Sequence, residues 1–146
     1  MFALPNEIIK HIYEFDGTYR DIFTNVLESF IPYEYEYFDN GVLYRKFQVK
    51  NNRMDSNYFE YYDNGNMKFQ VWYENGFAHG KFRKYHENGK LNFQCTFNYA
   101  LLHGDAITYY PSGKIKYICE YKNDVCYGKS YYFSEEGKLM YEKTYG

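Results

Sequence analysis

The chain is poor in everything that would announce a reaction or a membrane. Three cysteines, three prolines and one tryptophan occur in 146 residues. There is no Cys-x-x-Cys, His-Glu-x-x-His, phosphate loop or Gly-x-Ser-x-Gly, so the spacings that hold metals, nucleotides and activated nucleophiles are missing. No apolar run approaches the roughly 18 residues of a spanning helix. The first residues carry no basic segment followed by a hydrophobic stretch of signal-peptide length. With 17 basic and 19 acidic residues the formal charge is −2. No basic stripe is offered to nucleic acid or anionic lipid, both of which need clustered Lys and Arg. The expectation is a cytoplasmic chain with reduced thiols, no catalytic residue, no metal and no cofactor. Neither nucleic acid nor membrane is expected as a partner.

What is abundant is aromatic: 21 Tyr and 13 Phe. These residues fall in register. Gly41, Gly65, Gly89, Gly113 and Gly137 recur every 24 residues, and a fixed period of this size marks a repeat protein. Tyr37, Tyr61, Tyr85, Tyr109 and Phe133 stand four residues earlier, and Ser56, Gly80, Gly104 and Gly128 form another column. Leu91, Phe93, Cys95 and Phe97 alternate with polar residues, the pattern of a half-buried strand. Each unit therefore reads as a β-hairpin around its glycine.

The turn can be specified further. Asn88-Gly89 alone would suit a two-residue type I′ turn, but Ser112 and Glu136 at the same place disfavour positive φ. Pro111 suits position i+1 of a type I turn. A three-residue loop, type I with the glycine left-handed, fits all five units, and Ser112 marks Asn88 as replaceable by Ser. The odd loop puts Tyr61, Tyr85 and Tyr109 on one face with Phe69, Phe93, Tyr117, Val71, Phe97 and Tyr121. The other face collects Glu36, Glu60, Lys84, Lys68, Asn92, Gln94 and Glu120. Cys95 and Cys119 share a column, two strands or about 9.5 Å apart, too far to bridge. His79 and His103 are separated likewise, too far to share a metal.

The run Gly-Lys-Phe-Arg-Lys-Tyr-His-Glu-Asn-Gly-Lys-Leu over 80–91, with Tyr61-Tyr-Asp-Asn-Gly65 and Tyr109-Tyr-Pro-Ser-Gly113, resembles the variant MORN repeat. The resemblance implies a mainly β fold. It would be a single-layer, elongated antiparallel sheet of about five hairpin repeats over residues 32–146.

Residues 1–31 read as a separate segment of two short α-helices. Pro5 and Glu7 suit a helix start, with Ile8, Ile9 and Ile12 on one side. Tyr19, Ile22, Phe23, Val26, Leu27 and Phe30 stripe the second helix. The segment is read as a helical cap over the open end of the sheet. Its Leu4-Pro5-x-Glu7-Ile8-Ile9-x-x-Ile12 also resembles the opening of an F-box, which implies binding to the adaptor of a cullin-type ubiquitin ligase. Chains pairing such a helix with MORN-like repeats resemble families expanded in large DNA viruses of protists, implying host cytoplasm or virion as location. Variant repeats are similar to bacterial antitoxin-like chains as well, and MORN proteins include membrane-associated ones.

A one-layer sheet must cover its aromatic face with itself, with helices or with a partner. The expectation is a non-enzymatic protein-interaction scaffold whose partner is another protein or a second copy of the chain. Tyr61, Tyr85, Tyr109, Phe69, Phe93, Tyr117, Phe97 and Tyr121 are its candidate binding residues, and the five turn glycines are structural.

Overall fold

A computed structural model describes residues 32–146, of which Tyr33–Gly146 forms one compact unit. Its strands are β1 (Glu34–Tyr37), β2 (Leu43–Phe47), β3 (Val49–Lys50), β4 (Arg53–Met54), β5 (Ser56–Tyr61), β6 (Met67–Glu74), β7 (Phe77–Tyr85), β8 (Leu91–Asn98), β9 (Leu101–Tyr109), β10 (Ile115–Lys122), β11 (Val125–Phe133) and β12 (Leu139–Tyr145). Ten of them form one antiparallel sheet in the order β1-β2-β5-β6-β7-β8-β9-β10-β11-β12, while β3 and β4 pair separately. This corrects the expected fold class, a sheet with two helices: the described residues contain strands and turns and no helix. Both expected helices, with Leu4, Pro5, Ile8, Ile9 and Ile12, lie outside the described residues. The hairpin that joins β2 to β5 also departs from the expected plan. Gln48 and Asp55 interrupt it, and Ser56 takes φ 137 where later units have glycine.

Two turns alternate along the sheet. At one edge Gly89 N donates to His86 O (2.9 Å) and His86 N to Lys90 O (2.8 Å), with Gly89 at φ 80. This is the three-residue loop read from the sequence, and it recurs at Gly41, Gly65, Gly113 and Gly137. At the opposite edge the turns have two residues, both left-handed: Asn51-Asn52, Asn75-Gly76, Tyr99-Ala100 and Asn123-Asp124. Positive φ at both positions defines type I′, which matches strand twist. Asn and Gly tolerate it, whereas Tyr99 (φ 47) and Ala100 (φ 66) do not do so readily.

One further irregularity decides the faces. Lys84 pairs with Phe93 but Tyr85 pairs with Leu91, so Asn92 is an inserted residue. The same slip follows every three-residue turn, inserting Tyr44, Lys68, Lys116 and Met140. An inserted residue reverses inside and outside for everything beyond it. Tyr85 therefore stays with Leu91, while Phe93 crosses to the face of Lys84. Tyr61, Tyr85 and Tyr109 lie opposite Phe69, Phe93, Tyr117, Phe97 and Tyr121, not beside them. Glu36, Glu60 and Lys84 lie with the second group, not with Gln94 and Glu120.

The face of Phe69 and Phe93 is the packed one. Along it runs a row of directly paired or neighbouring residues: Phe47, Tyr58, Val71, Phe82, Cys95, Ala106, Cys119 and Ser130. All but half-buried Phe82 are buried, Ala106 to 2% and Cys119 to 0% exposure. Around Phe47, Tyr58 and Val71 pack Val49, Met54, Phe69, Tyr73, Ala78 and Phe82. Rings of Tyr58, Phe69 and Phe82 follow one another, and Phe82 meets both Phe93 and Phe97, all at 5.6–6.1 Å, the spacing of favourable aromatic pairs.

Two outcomes follow. Replacing Ala100 with Gly relieves its left-handed strain and should raise unfolding free energy by about 1 kcal/mol, whereas Gly89→Val should lower it by about 1 kcal/mol or more; urea denaturation reads both. Burial also pushes the Cys95 thiol to about 12 and that of Cys119 to about 11, against an ordinary 9.0. The fold retains neutral thiols that the unfolded chain ionises first. Stability present below pH 9 should therefore drain away as pH rises toward 11–12, in melts followed by circular dichroism.

Candidate interaction surface

Adjacent units are joined at both edges by bonds that skip a strand. At the three-residue-turn edge, Tyr62 Oη donates to Tyr85 O (2.8 Å) and Tyr110 Oη to Phe133 O (2.9 Å). His86 Nε2 meets Tyr109 O at 3.1 Å. These three occupy one column, each reaching the next unit. Neighbouring side chains reinforce the link: Asn66 Nδ2 to Glu87 O (2.7 Å), Asn88 Nδ2 to Pro111 O (2.9 Å) and Lys90 Nζ to Ser112 O (2.9 Å). Asn88 is thus a connector between units, a role that the Ser at its equivalent position had concealed.

At the other edge the backbone makes the link itself. Gly76 N donates to Met54 O (2.8 Å), Ala100 N to Ala78 O (2.7 Å) and Asp124 N to Leu102 O (3.0 Å). The reach comes from a bulge. Trp72 pairs with His79 while Val71 pairs with Phe82, which leaves Gly80 and Lys81 unmatched on that side. Gly80 sits at φ 73, and Gly104 and Gly128 repeat the conformation.

These connections order the open face, opposite the packed one. Across it runs the row Tyr35, Lys46, Phe59, Gln70, Arg83, Gln94, Ile107, Ile118, Tyr131 and Glu142. Between β7 and β9 lies a shallow groove of about 260 Å³ lined by Lys81, Arg83, Gln94, Thr96, Asp105 and Ile107. Tyr85 and Tyr109 stand at one end of these strands, and Gln94 Nε2 donates to Tyr109 Oη (2.9 Å). At the other end, beside the two-residue turns, stand Phe77, Leu101 and Val125, again 24 residues apart, with exposures of 53, 42 and 65%. Trp72 and Tyr127 extend this apolar strip at 42 and 52% exposure.

The expected binding residues are divided by this register. Tyr61, Tyr85 and Tyr109 belong to the open face, and Phe69, Phe93, Phe97, Tyr117 and Tyr121 to the packed face; all eight are half-buried. The exposed apolar strip was missed. Its signal was present in the 24-residue spacing of Phe77, Leu101 and Val125.

The packed face ends, toward β1, in a polar cluster. Glu60, buried, accepts from Lys68 Nζ (2.7 Å) and Tyr58 Oη (3.1 Å). Its cross-strand neighbour Arg45 donates to Glu36 (2.7 Å) and lies 5.3 Å from the Phe47 ring. The Glu36 carboxylate, first, and Tyr58 hold Arg45 more firmly protonated than usual. Every charge here is matched by a fixed neighbour, the pattern of a structural network. Among the described residues no three His, Cys, Asp or Glu side chains converge as metal ligands.

No curated protein matches the chain. Among solved structures, a chain from accessory secretory protein 1, 2 and 3 of Streptococcus pneumoniae matches at 12% identity and a TM-score of 0.20. That match covers 77% of this chain but only 17% of the other, a likeness too slight to carry an argument. Residues 78–99 and 102–123 match the model of the MORN repeat variant. The ten-stranded antiparallel sheet fits such repeats, which are protein- and membrane-interaction modules and not an enzyme family.

Proposed function

We propose that the chain is a non-enzymatic interaction scaffold that holds a protein partner on its open face. The observation behind this reading is the strip of Phe77, Leu101 and Val125 flanked by Trp72 and Tyr127. Scattered apolar side chains on a surface need no explanation, but a set repeated at the same point of successive units marks a contact site. The spacing follows from the unit: three successive repeats each contribute one apolar side chain at the same point of the same strand type. The strip and the tyrosines Tyr85 and Tyr109 bracket the polar groove. A partner laid along the sheet would meet apolar anchors at both borders and hydrogen-bonding groups between them. Large apolar anchors around a polar floor are the usual anatomy of a protein contact.

The reading is tested by capturing proteins on the immobilised full chain and measuring the affinity of whatever is retained. Leu101→Ser combined with Val125→Ser should weaken binding about 30-fold or more, the cost of losing about 2 kcal/mol of anchor contact. Lys84→Ala on the packed face should leave binding intact. Retention by the double variant with loss in Lys84→Ala would put the partner on the other face.

A further inference from the structure

Cys126 on β11 lies seven positions after Cys119 on β10, and the unit repeat shows what normally occupies those two places. One unit earlier the pair is Cys95 and Leu102; before that, Val71 and Ala78; before that, Phe47 and Met54. In the first units Met54 and Ala78 pack against buried Phe47 and Val71. The position is thus a tertiary contact inside each hairpin, filled by carbon. In the β10–β11 hairpin both partners are sulfur.

The register explains why they meet. Cys126 pairs with Tyr121, two residues beyond Cys119 on the same face. Cys119 itself pairs with Ser130, and Gly128 and Lys129 stand unmatched between that pair and Glu120–Tyr127. The two Sγ atoms lie 2.7 Å apart as free thiols. Cys119 has no exposure, whereas Cys126 is half-buried and within reach of a small reagent. Cys95 is buried among carbon with no second thiol beside it.

We propose that Cys119 and Cys126 are an oxidisable dithiol that closes to a disulfide across the β10–β11 hairpin, with a small-molecule disulfide as oxidant. The Cys126 thiol loses its proton and its sulfur attacks the oxidant, whose S–S bond breaks; one reagent thiolate leaves and takes up that proton. The Cys119 thiol then attacks Cys126 Sγ in the mixed disulfide. The Cys119–Cys126 bond forms, the bond to the reagent breaks, and the second reagent thiol departs with the Cys119 proton. Two electrons pass from the protein to one disulfide, which becomes two thiols. The product ties the turn Asn123-Asp124, and with it exposed Val125 and Tyr127, to the buried row. This step stands whether or not the open face binds a partner.

The experiment equilibrates the full chain with glutathione disulfide, blocks residual thiols by alkylation and maps tryptic peptides by mass spectrometry. Cys119 and Cys126 fall in different peptides, 117–122 and 123–129, so the link is directly visible. The expected result is these two peptides joined and two hydrogens lighter, reversed by dithiothreitol and still formed in Cys95→Ser. In Cys119→Val, which carries the residue found at position 71, the reaction should stop with one glutathione on Cys126. Full alkylation of both cysteines after equilibration would overturn the proposal. So would a stable glutathione on wild-type Cys126, or a link to Cys95, in protein with an unchanged circular dichroism spectrum.

Discussion

A hydrogen bond that skips a strand is the constraint from which most of this sheet follows. Adjacent strands pair through their own backbones, but successive hairpin turns lie about 9.5 Å apart and share no ladder. Something must cross that gap if the turns are to be fixed against one another. At one edge a long, stiff, polar-tipped side chain does so, which is why Tyr62, His86 and Tyr110 share a column and end on carbonyls of the following unit. Tyrosine combines reach, few rotatable bonds and a donor at the tip. Part of the chain's aromatic richness is therefore connective. At the other edge the glycine bulges tilt each two-residue turn until its amide meets the preceding unit directly.

The inserted residue after each three-residue turn has a different consequence. It lets β8 serve both faces of the sheet, with Leu91 beside Tyr85 at the open face and Phe93 inside. The packed face then becomes a row of rings and small buried residues, among them Ala106 and Cys119, with its own small polar cluster at Glu60. The open face is left free to carry the strip of Phe77, Leu101 and Val125. Division of labour between faces, rather than one aromatic face and one polar face, is what makes the scaffold reading physical.

Much of this was legible in the sequence, and the gaps have physical reasons. The period, the hairpins and the left-handed glycine turn could be read because each imposes a residue type: only glycine sits easily at φ 80. The shared column of Phe47, Val71, Cys95 and Cys119 was readable too, as strand alternation alone defines it. The inserted residue was not, since Tyr44, Lys68, Asn92, Lys116 and Met140 have nothing in common but position. A bulge of this kind needs only an extra residue, and missing it inverted the faces of Tyr61, Tyr85 and Tyr109. Tyr99-Ala100 hid a type I′ turn behind residues that do not favour it. The sulfur pair went unread because Cys126 shares no residue type with Met54, Ala78 and Leu102, although their seven-residue offset from the core column was open to inspection.

Amide hydrogen exchange followed by NMR tests the connected-turn account most directly. Gly76, Ala100 and Asp124 sit at exposed turn tips, and an isolated hairpin would leave these amides open to water. Their bonds to Met54, Ala78 and Leu102 predict slow exchange, close to that of amides within the strands and far slower than at exposed, unbonded turn amides. Exchange of all three at the rate of an unstructured peptide, in a domain whose strand amides stay protected, would contradict it.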